Sequence, residues 1–251
     1  MLPVTIKSVE GIGVLQSAKT YYYVFRGASL INVVCNISRN RAYPDFKNDS
    51  KFNNLTENTM EILFKANSFP NTLNTLMGIE SNYLLRIGDA TIPNNQLQVA
   101  TSVNNCTSAD LQLESGKWYH VAVAFNKGNV KVYINGVEKL SGSTGKSSVS
   151  LGAKHTNEED GSRCFWVGYS YKDDRYFDGV VSEVRIWNRA LTAEEIQATN
   201  HFYTIEPESE GLIAYWKFDE GSGTVAKDYS VSGYDLTIEK EPKWESVSLP
   251  Q

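Results

Sequence analysis

Hydrolysis of a glycosidic bond needs two carboxylates that face each other across it. The acidic groupings in this sequence are Glu158-Glu159-Asp160, Asp173-Asp174, and Asp178 with Glu183. The first two are contiguous, so on a strand their neighbours would point to opposite faces. Both read as solvated loops. Asp178 and Glu183 are five apart, again of opposite parity, and Glu183 reads as the partner of a nearby Arg or Lys. None of the three reads as a catalytic pair.

The histidines are His120, His155 and His201, and the cysteines Cys35, Cys106 and Cys164. No Gly-x-Ser-x-Gly, Cys/His, His-Glu-x-x-His or EF-hand pattern accompanies them. His120 alternates with Ala122 and Ala124 and reads as a structural residue on the less buried face of a strand. The cysteines are widely spaced, odd in number and form no C-x-x-C pair, which argues against a structural zinc. They read as buried small apolar residues, with one long-range disulfide plus a free thiol as the alternative. The expectation is no catalytic residue and no metal ligand.

A different chemistry is spelled by Tyr169-Ser170-Tyr171-Lys172-Asp173-Asp174-Arg175-Tyr176. Aromatic rings offer a flat apolar face, and Asp and Arg offer planar hydrogen-bonding groups at the rim. That mixture in a loop suits a polar ligand better than a core. The candidate ligand-binding residues are therefore Tyr169, Tyr171, Asp173, Asp174, Arg175 and Tyr176. To them we add His155, Asn157 and Arg163 from the preceding loop, which flanks the same strand from its other end. Asn40, Arg41, Tyr43 and Asp45 make a third candidate. The competing reading is a surface loop whose tyrosines only cover a sheet edge.

Composition bounds the rest. The 251 residues carry a net charge of −5, with Lys and Arg scattered singly among Asp and Glu. No basic stripe appears, which argues against nucleic acid. No run approaches the roughly 18 apolar residues of a membrane span. Met1-Leu2-Pro3-Val4 shows neither the charged nor the apolar region of a signal peptide. A cytosolic protein and a piece of a longer exported chain both fit. Sequons at Asn36, Asn48, Asn54 and Asn105 are about as many as chance supplies.

The elements that must position these loops follow a two-residue alternation. Val121, Val123 and Phe125 share one face of a strand, and Val130, Val132 and Ile134 share one face of the next. A Gly-containing loop joins them, and Asn135-Gly136 then signals a type I′ turn into a third strand from Val137. Further strands are expected over Val4–Val9, Tyr21–Arg26, Ile31–Ile37, Thr59–Ala66, Thr75–Glu80, Tyr83–Ile87 and Gln96–Ala100. Others are expected over Cys164–Tyr169, Val180–Trp187, Leu212–Phe218 and Asp235–Ile238, with Arg39–Asn54 and Lys154–Arg163 as surface loops. Trp118, Trp187 and Trp216 fall inside strand motifs and read as core. Thr192 with Glu195 forms a capping box, and Leu191 with Ile196 the matching hydrophobic staple. The sequence thus predicts an all-β antiparallel jelly-roll sandwich with one short helix near residues 192–201, plugging one end. We expect a single domain over 1–251, with 1–30 a leading strand or linker and 211–251 completing the sheet.

Three segments carry a resemblance. They are Gly116-Lys117-Trp118-Tyr119-His120-Val121-Ala122-Val123 with Val130 to Gly136; Phe177-Asp178-Gly179 through Glu183-Val184-Arg185-Ile186-Trp187 to Thr192; and Leu212-Ile213-Ala214-Tyr215-Trp216-Lys217-Phe218-Asp219-Glu220-Gly221-Ser222-Gly223. Together they resemble the laminin-G-like, concanavalin A-like lectin and glucanase jelly rolls, with the third segment at the end of the chain rather than its start. They also resemble the C-terminal domain of surface glycan-binding lipoproteins of Bacteroidetes. The resemblance implies a non-catalytic glycan-binding module at the cell surface, carried on a longer outer-membrane lipoprotein. Its partner would be a glycan, with no nucleic acid and no transmembrane segment in this chain. The alternatives are a protein–protein adhesion module, or a glycosidase or lyase with an unrecognised site. Catalytic relatives place their carboxylates as Glu-x-Asp-x-x-Glu or Glu-x-Asp-x-Glu, and neither string occurs here. Many relatives hold a structural calcium through an Asp at the position of Ser182, and a hydroxyl is a weaker, uncharged ligand. No cofactor is expected.

Overall fold

The computed structural model describes residues 30–155, 164–170 and 173–249. The strands expected over Val4–Val9 and Tyr21–Arg26 lie outside the described residues. In chain order the first strands are β1 (Leu30–Asn36), β2 (Ala42–Pro44), β3 (Glu57–Ala66), β4 (Asn74–Ile79) and β5 (Tyr83–Asp89). Next come β6 (Ile92–Thr101), β7 (Cys106–Gln112), β8 (Trp118–Asn126), β9 (Asn129–Ile134), β10 (Val137–Ser143) and β11 (Trp166–Val167). The chain ends with β12 (Gly179–Trp187), helix α1 (Ala193–Ile196), β13 (Leu212–Trp216), β14 (Val225–Ala226), β15 (Leu236–Ile238) and β16 (Lys243–Leu249).

These strands form two antiparallel sheets of eight strands each. The first runs β10-β9-β8-β3-β12-β1-β16, with β13 also on β12. The second runs β14-β15-β2-β11-β4-β5-β6-β7. The alternation sets which face is dry. Val121, Val123 and Phe125 of β8 and Met60, Ile62 and Phe64 of β3 point inward, against Leu85, Ile87, Leu97 and Val99 of the second sheet. The hairpins are tight because both turn residues accept positive φ: Lys127 and Gly128 before β9, Asn135 and Gly136 before β10. At Gly128 even a Cβ would meet the Lys146 carbonyl oxygen at 2.5 Å.

The far edge of β12 is shared. Its start pairs with β1 (Cys35↔Val181) and its end with β13 (Val184↔Trp216). β1 pairs in turn with β16 along its whole length, from Leu30↔Leu249 to Asn36↔Lys243. The three cysteines are free thiols and buried, and burial pushes the Cys35 thiol up.

Three expectations need correction. The Arg39–Asn54 stretch is not all surface loop: Ala42–Pro44 is a sheet strand, and Phe46 stacks on Phe52 in the core with centroids 3.9 Å apart. Polar neighbours masked these few apolar residues. Trp187 and Trp216 are buried, but Trp118 is only half-buried, with Lys65 Nζ 5.5 Å from its ring. The helix keeps its capping box yet spans one turn, Ala193–Ile196, instead of reaching 201. The chain leaves it because His201 is held below, its carbonyl accepting from Arg185 and its imidazole bound to Glu61. Nor does α1 plug an end. Leu191 and Ile196 pack with Ala122, Ala124, Tyr133, Trp187 and Tyr215 on the outer face of the first sheet.

Candidate functional site

Strand β11 is short, but its alternation decides the site. Phe165 and Val167 enter the core, so Trp166 faces out of the second sheet. Its partner across the ladder is Gly78 of β4, which puts no side chain beside the indole. Strand β2 and two loops converge on that ring. Tyr43 of β2 meets it edge-on at 5.1 Å, and His155 does so at 5.0 Å. Tyr43 and His155 also stack on each other, 3.5 Å between centroids and 8° between planes. From the other side Tyr169 meets Trp166 at 5.1 Å and leans on Tyr176 at 4.8 Å.

Charge is laid over this aromatic floor. The Arg41 guanidinium lies 4.8 Å from the Tyr169 centroid and 5.2 Å from that of Trp166, and forms an ion pair with Glu239 that raises its pKa. Such cation–π contacts hold an arginine flat on a ring. Arg175, in the short 3-10 turn Asp173–Arg175, donates to Glu80 at 3.0 Å. Glu80 also lies 3.9 Å from Arg86 on β5, which pairs with Asp89 and donates from Nε to Gln98 on β6 at 2.9 Å. Burial draws the Arg86 guanidinium down, against the pull of Asp89 and Glu80. The second sheet's outer face thus presents an aromatic group beside a strip of planar polar side chains, with Tyr43, Arg41, His155, Arg175 and Tyr176 half-exposed.

The sequence candidates sort as follows. Tyr169, Arg175, Tyr176 and His155 meet at one place, together with Arg41 and Tyr43. Asp174 is exposed at the same turn. Tyr171, Asn157 and Arg163 lie outside the described residues, and for Asp173 only the backbone turn is described. Asn40 and Asp45 serve the scaffold: Asn40 donates to the Lys240 carbonyl at 2.7 Å, and Asp45 accepts from the His155 amide at 3.2 Å. Trp166, the hub, was no candidate; the signal was a Trp flanked by two inward residues in a short strand. Cys164 Sγ sits 3.3 Å from His155 Nδ1.

A second cluster also escaped the sequence. On the outer face of the first sheet, Glu61 of β3 stands opposite Arg185 of β12, with His120 of β8 and Trp187 on the diagonals. Glu61 Oε2 accepts from the Trp187 indole at 2.6 Å, and Oε1 meets His201 Nε2 at 2.6 Å and His120 Nε2 at 3.3 Å. Although burial alone would raise it, the two imidazoles hold the Glu61 carboxyl well below its usual value. Arg185 donates to Glu183 at 2.7 Å, the partner expected for it, while burial pushes Glu183 up to about 7. The calcium route does not fit these residues: Ser182 is buried, carries no carboxylate, and accepts from the Asn32 amide at 3.3 Å.

Among the described residues, no helix is long and apolar enough to cross a membrane. No curated protein matches the sequence. Among solved structures, a candidate carbohydrate-binding protein from Bacteroides ovatus is similar over 88% of this chain and 61% of its own, with 27% identity and a TM-score of 0.73. The chain thus spans about three fifths of that protein. Domain 4 of AbnA, a GH43 extracellular arabinanase from Geobacillus stearothermophilus solved with arabinotriose, shares the fold at 24% identity and a TM-score of 0.50, over 65% of this chain and 74% of that one. The profile of one family matches residues 40–197, more than half of the sequence, and by that match the chain belongs to the concanavalin A-like lectin/glucanases superfamily.

Proposed function

We propose that the chain is a non-catalytic carbohydrate-binding module of a surface or secreted protein, and that it takes its glycan on the outer face of the second sheet. One observation carries the reading: strand β2 and two separate loops bring Tyr43, His155, Tyr169 and Tyr176 around Trp166, with Arg175, Glu80 and Arg86 alongside. A pyranose has an apolar face and a hydroxyl rim; Trp166 and Tyr169 are themselves buried, so the apolar face would rest on the half-exposed Tyr43 and Tyr176 that they support, with Arg175 at the rim. The likeness to the Bacteroides ovatus protein supports the same ligand class. Glu80, Asp89 and Glu239 on this face are each paired with an arginine, which favours binding over acid–base chemistry. We read residues 30–249 as one domain, carried on a longer outer-membrane lipoprotein engaged in glycan capture. The adhesion alternative draws on Val225, Tyr229 and Val231, exposed within one short segment.

A glycan array on the full chain, with Tyr176→Ala and Arg175→Ala beside it, tests the reading. Binding to a defined polysaccharide class that both variants weaken supports it. No binding across a broad panel, or binding that both variants leave unchanged, overturns the function or the site.

A further inference from the structure

We infer that Glu61, His120 and His201 form a buried binding site for a first-row divalent metal ion of the zinc class. Their donor atoms lie within 4.8 Å of one another, and all three residues are buried. Two imidazole nitrogens and one carboxylate oxygen are a ligand set that zinc accepts, leaving a fourth position. Neither ring nitrogen of His120 makes a hydrogen bond, although the residue is only 1% exposed; its Nε2 lies 3.3 Å from Glu61 Oε1 without hydrogen-bond alignment. A buried imidazole left in that condition is costly, and a metal ion would satisfy the nitrogen.

The spacing and surroundings agree. Ligands bound at about 2.0–2.1 Å around a tetrahedral ion stand roughly 3.3–3.5 Å apart. The His120–Glu61 gap of 3.3 Å already fits. The His201–Glu61 contact of 2.6 Å must open, by a turn of the His201 ring about a backbone that Arg185 holds in place. The carboxylate oxygens are divided: Trp187 Nε1 donates to Oε2, which leaves Oε1 turned toward both histidines. An outer hydrogen bond of that kind orients a metal-binding carboxylate. Arg185, the nearby cation, faces the Oε2 side at 3.8 Å and is occupied by Glu183 and the His201 carbonyl. Phe202 stacks on the His120 ring at 4.5 Å and closes the top.

The untagged full chain, stripped with a chelator, is titrated with Zn2+ and separately with Co2+. The expected result is one ion per chain. His201→Gln should weaken binding beyond the roughly 10–100-fold that loss of an outer partner costs, while His155→Gln should leave it unchanged. No binding by the native sequence, binding that His201→Gln leaves intact, or binding lost with His155→Gln overturns the assignment. If His201→Gln does not fold, the Co2+ spectrum of the native chain decides. Intense visible bands of a four- or five-coordinate ion support the buried triad, and the weak spectrum of a six-coordinate ion overturns it.

Discussion

The Trp187 indole N–H donates to Glu61 Oε2 at 2.6 Å, joining β12 to β3 across a pair in which Arg185 stands directly opposite Glu61. Around that bond gather a carboxylate, a guanidinium and two imidazoles, all nearly out of water. Removing one member leaves the others buried without compensation, a loss of about 3–5 kcal/mol for an ion pair. Glu61→Ala should lower unfolding stability on that scale in urea titrations. A loss below about 1 kcal/mol would show that the network contributes little beyond its shape.

The one-turn helix depends on its cap. Thr192 Oγ1 accepts from the Glu195 amide at 3.3 Å, and the Glu195 carboxylate accepts from the Thr192 amide at 2.8 Å. Thr192→Ala should cost about 1 kcal/mol. Amide exchange should quicken in residues 193–205 and stay unchanged in β8. Uniform acceleration in both would mean that the helix is not a separate lid.

On the ligand face, Arg175 and Tyr176 are half-exposed and leave the core intact. Arg175→Ala and Tyr176→Ala should each weaken glycan binding roughly tenfold or more, as loss of an anchoring side chain does. The ion pair of Arg175 with Glu80 is partly buried, yet Glu80 keeps Arg86 as a second partner when Arg175 is removed, so the loss to folding should stay near about 1 kcal/mol. A large fall in melting temperature would reassign these residues to the scaffold.

Asp178 gives the acid limb. Burial would raise its carboxyl, but Ser68 Oγ at 2.5 Å, Ser38 Oγ at 2.7 Å and the Asn67 amide at 3.3 Å hold it below the usual 3.8. A lowered folded pKa means that the contribution is present above 3.8 and disappears as pH falls through the folded value. Asp178→Asn should flatten the melting-temperature profile below about pH 4. An unchanged slope there would place the acid sensitivity elsewhere.

Strands announced by clean alternation, such as Trp118 to Ile134, are legible in the sequence because one side is core and the other is not. The short strands of the second sheet are less so. Ala42–Pro44 was missed because three residues are too few for a period and pairing with β11 and β15 makes it a strand, whereas Trp166–Val167 fell within the strand expected over Cys164–Tyr169, which is longer than the one formed. Composition singled out the loops around His155 and Tyr169–Tyr176 as candidates, but not the point where they meet, since it depends on the side to which Trp166 turns. The Glu61 cluster was illegible for a related reason. Its members come from β3, β8, β12 and the turn after α1, and only strand register brings them within reach.

The pairing of Leu30 with Leu249 at the edge of the first sheet has a consequence for architecture. The span from Leu30 to Leu249 begins and ends at one point, as a plug on a two-wire lead. A fold wired this way can be spliced into a surface loop of a host protein without prising the host apart. It can also be circularly permuted by a short join across that edge. A tether attached at Leu30 or Leu249 would leave from the first sheet, with the Trp166 face of the second sheet turned away from it.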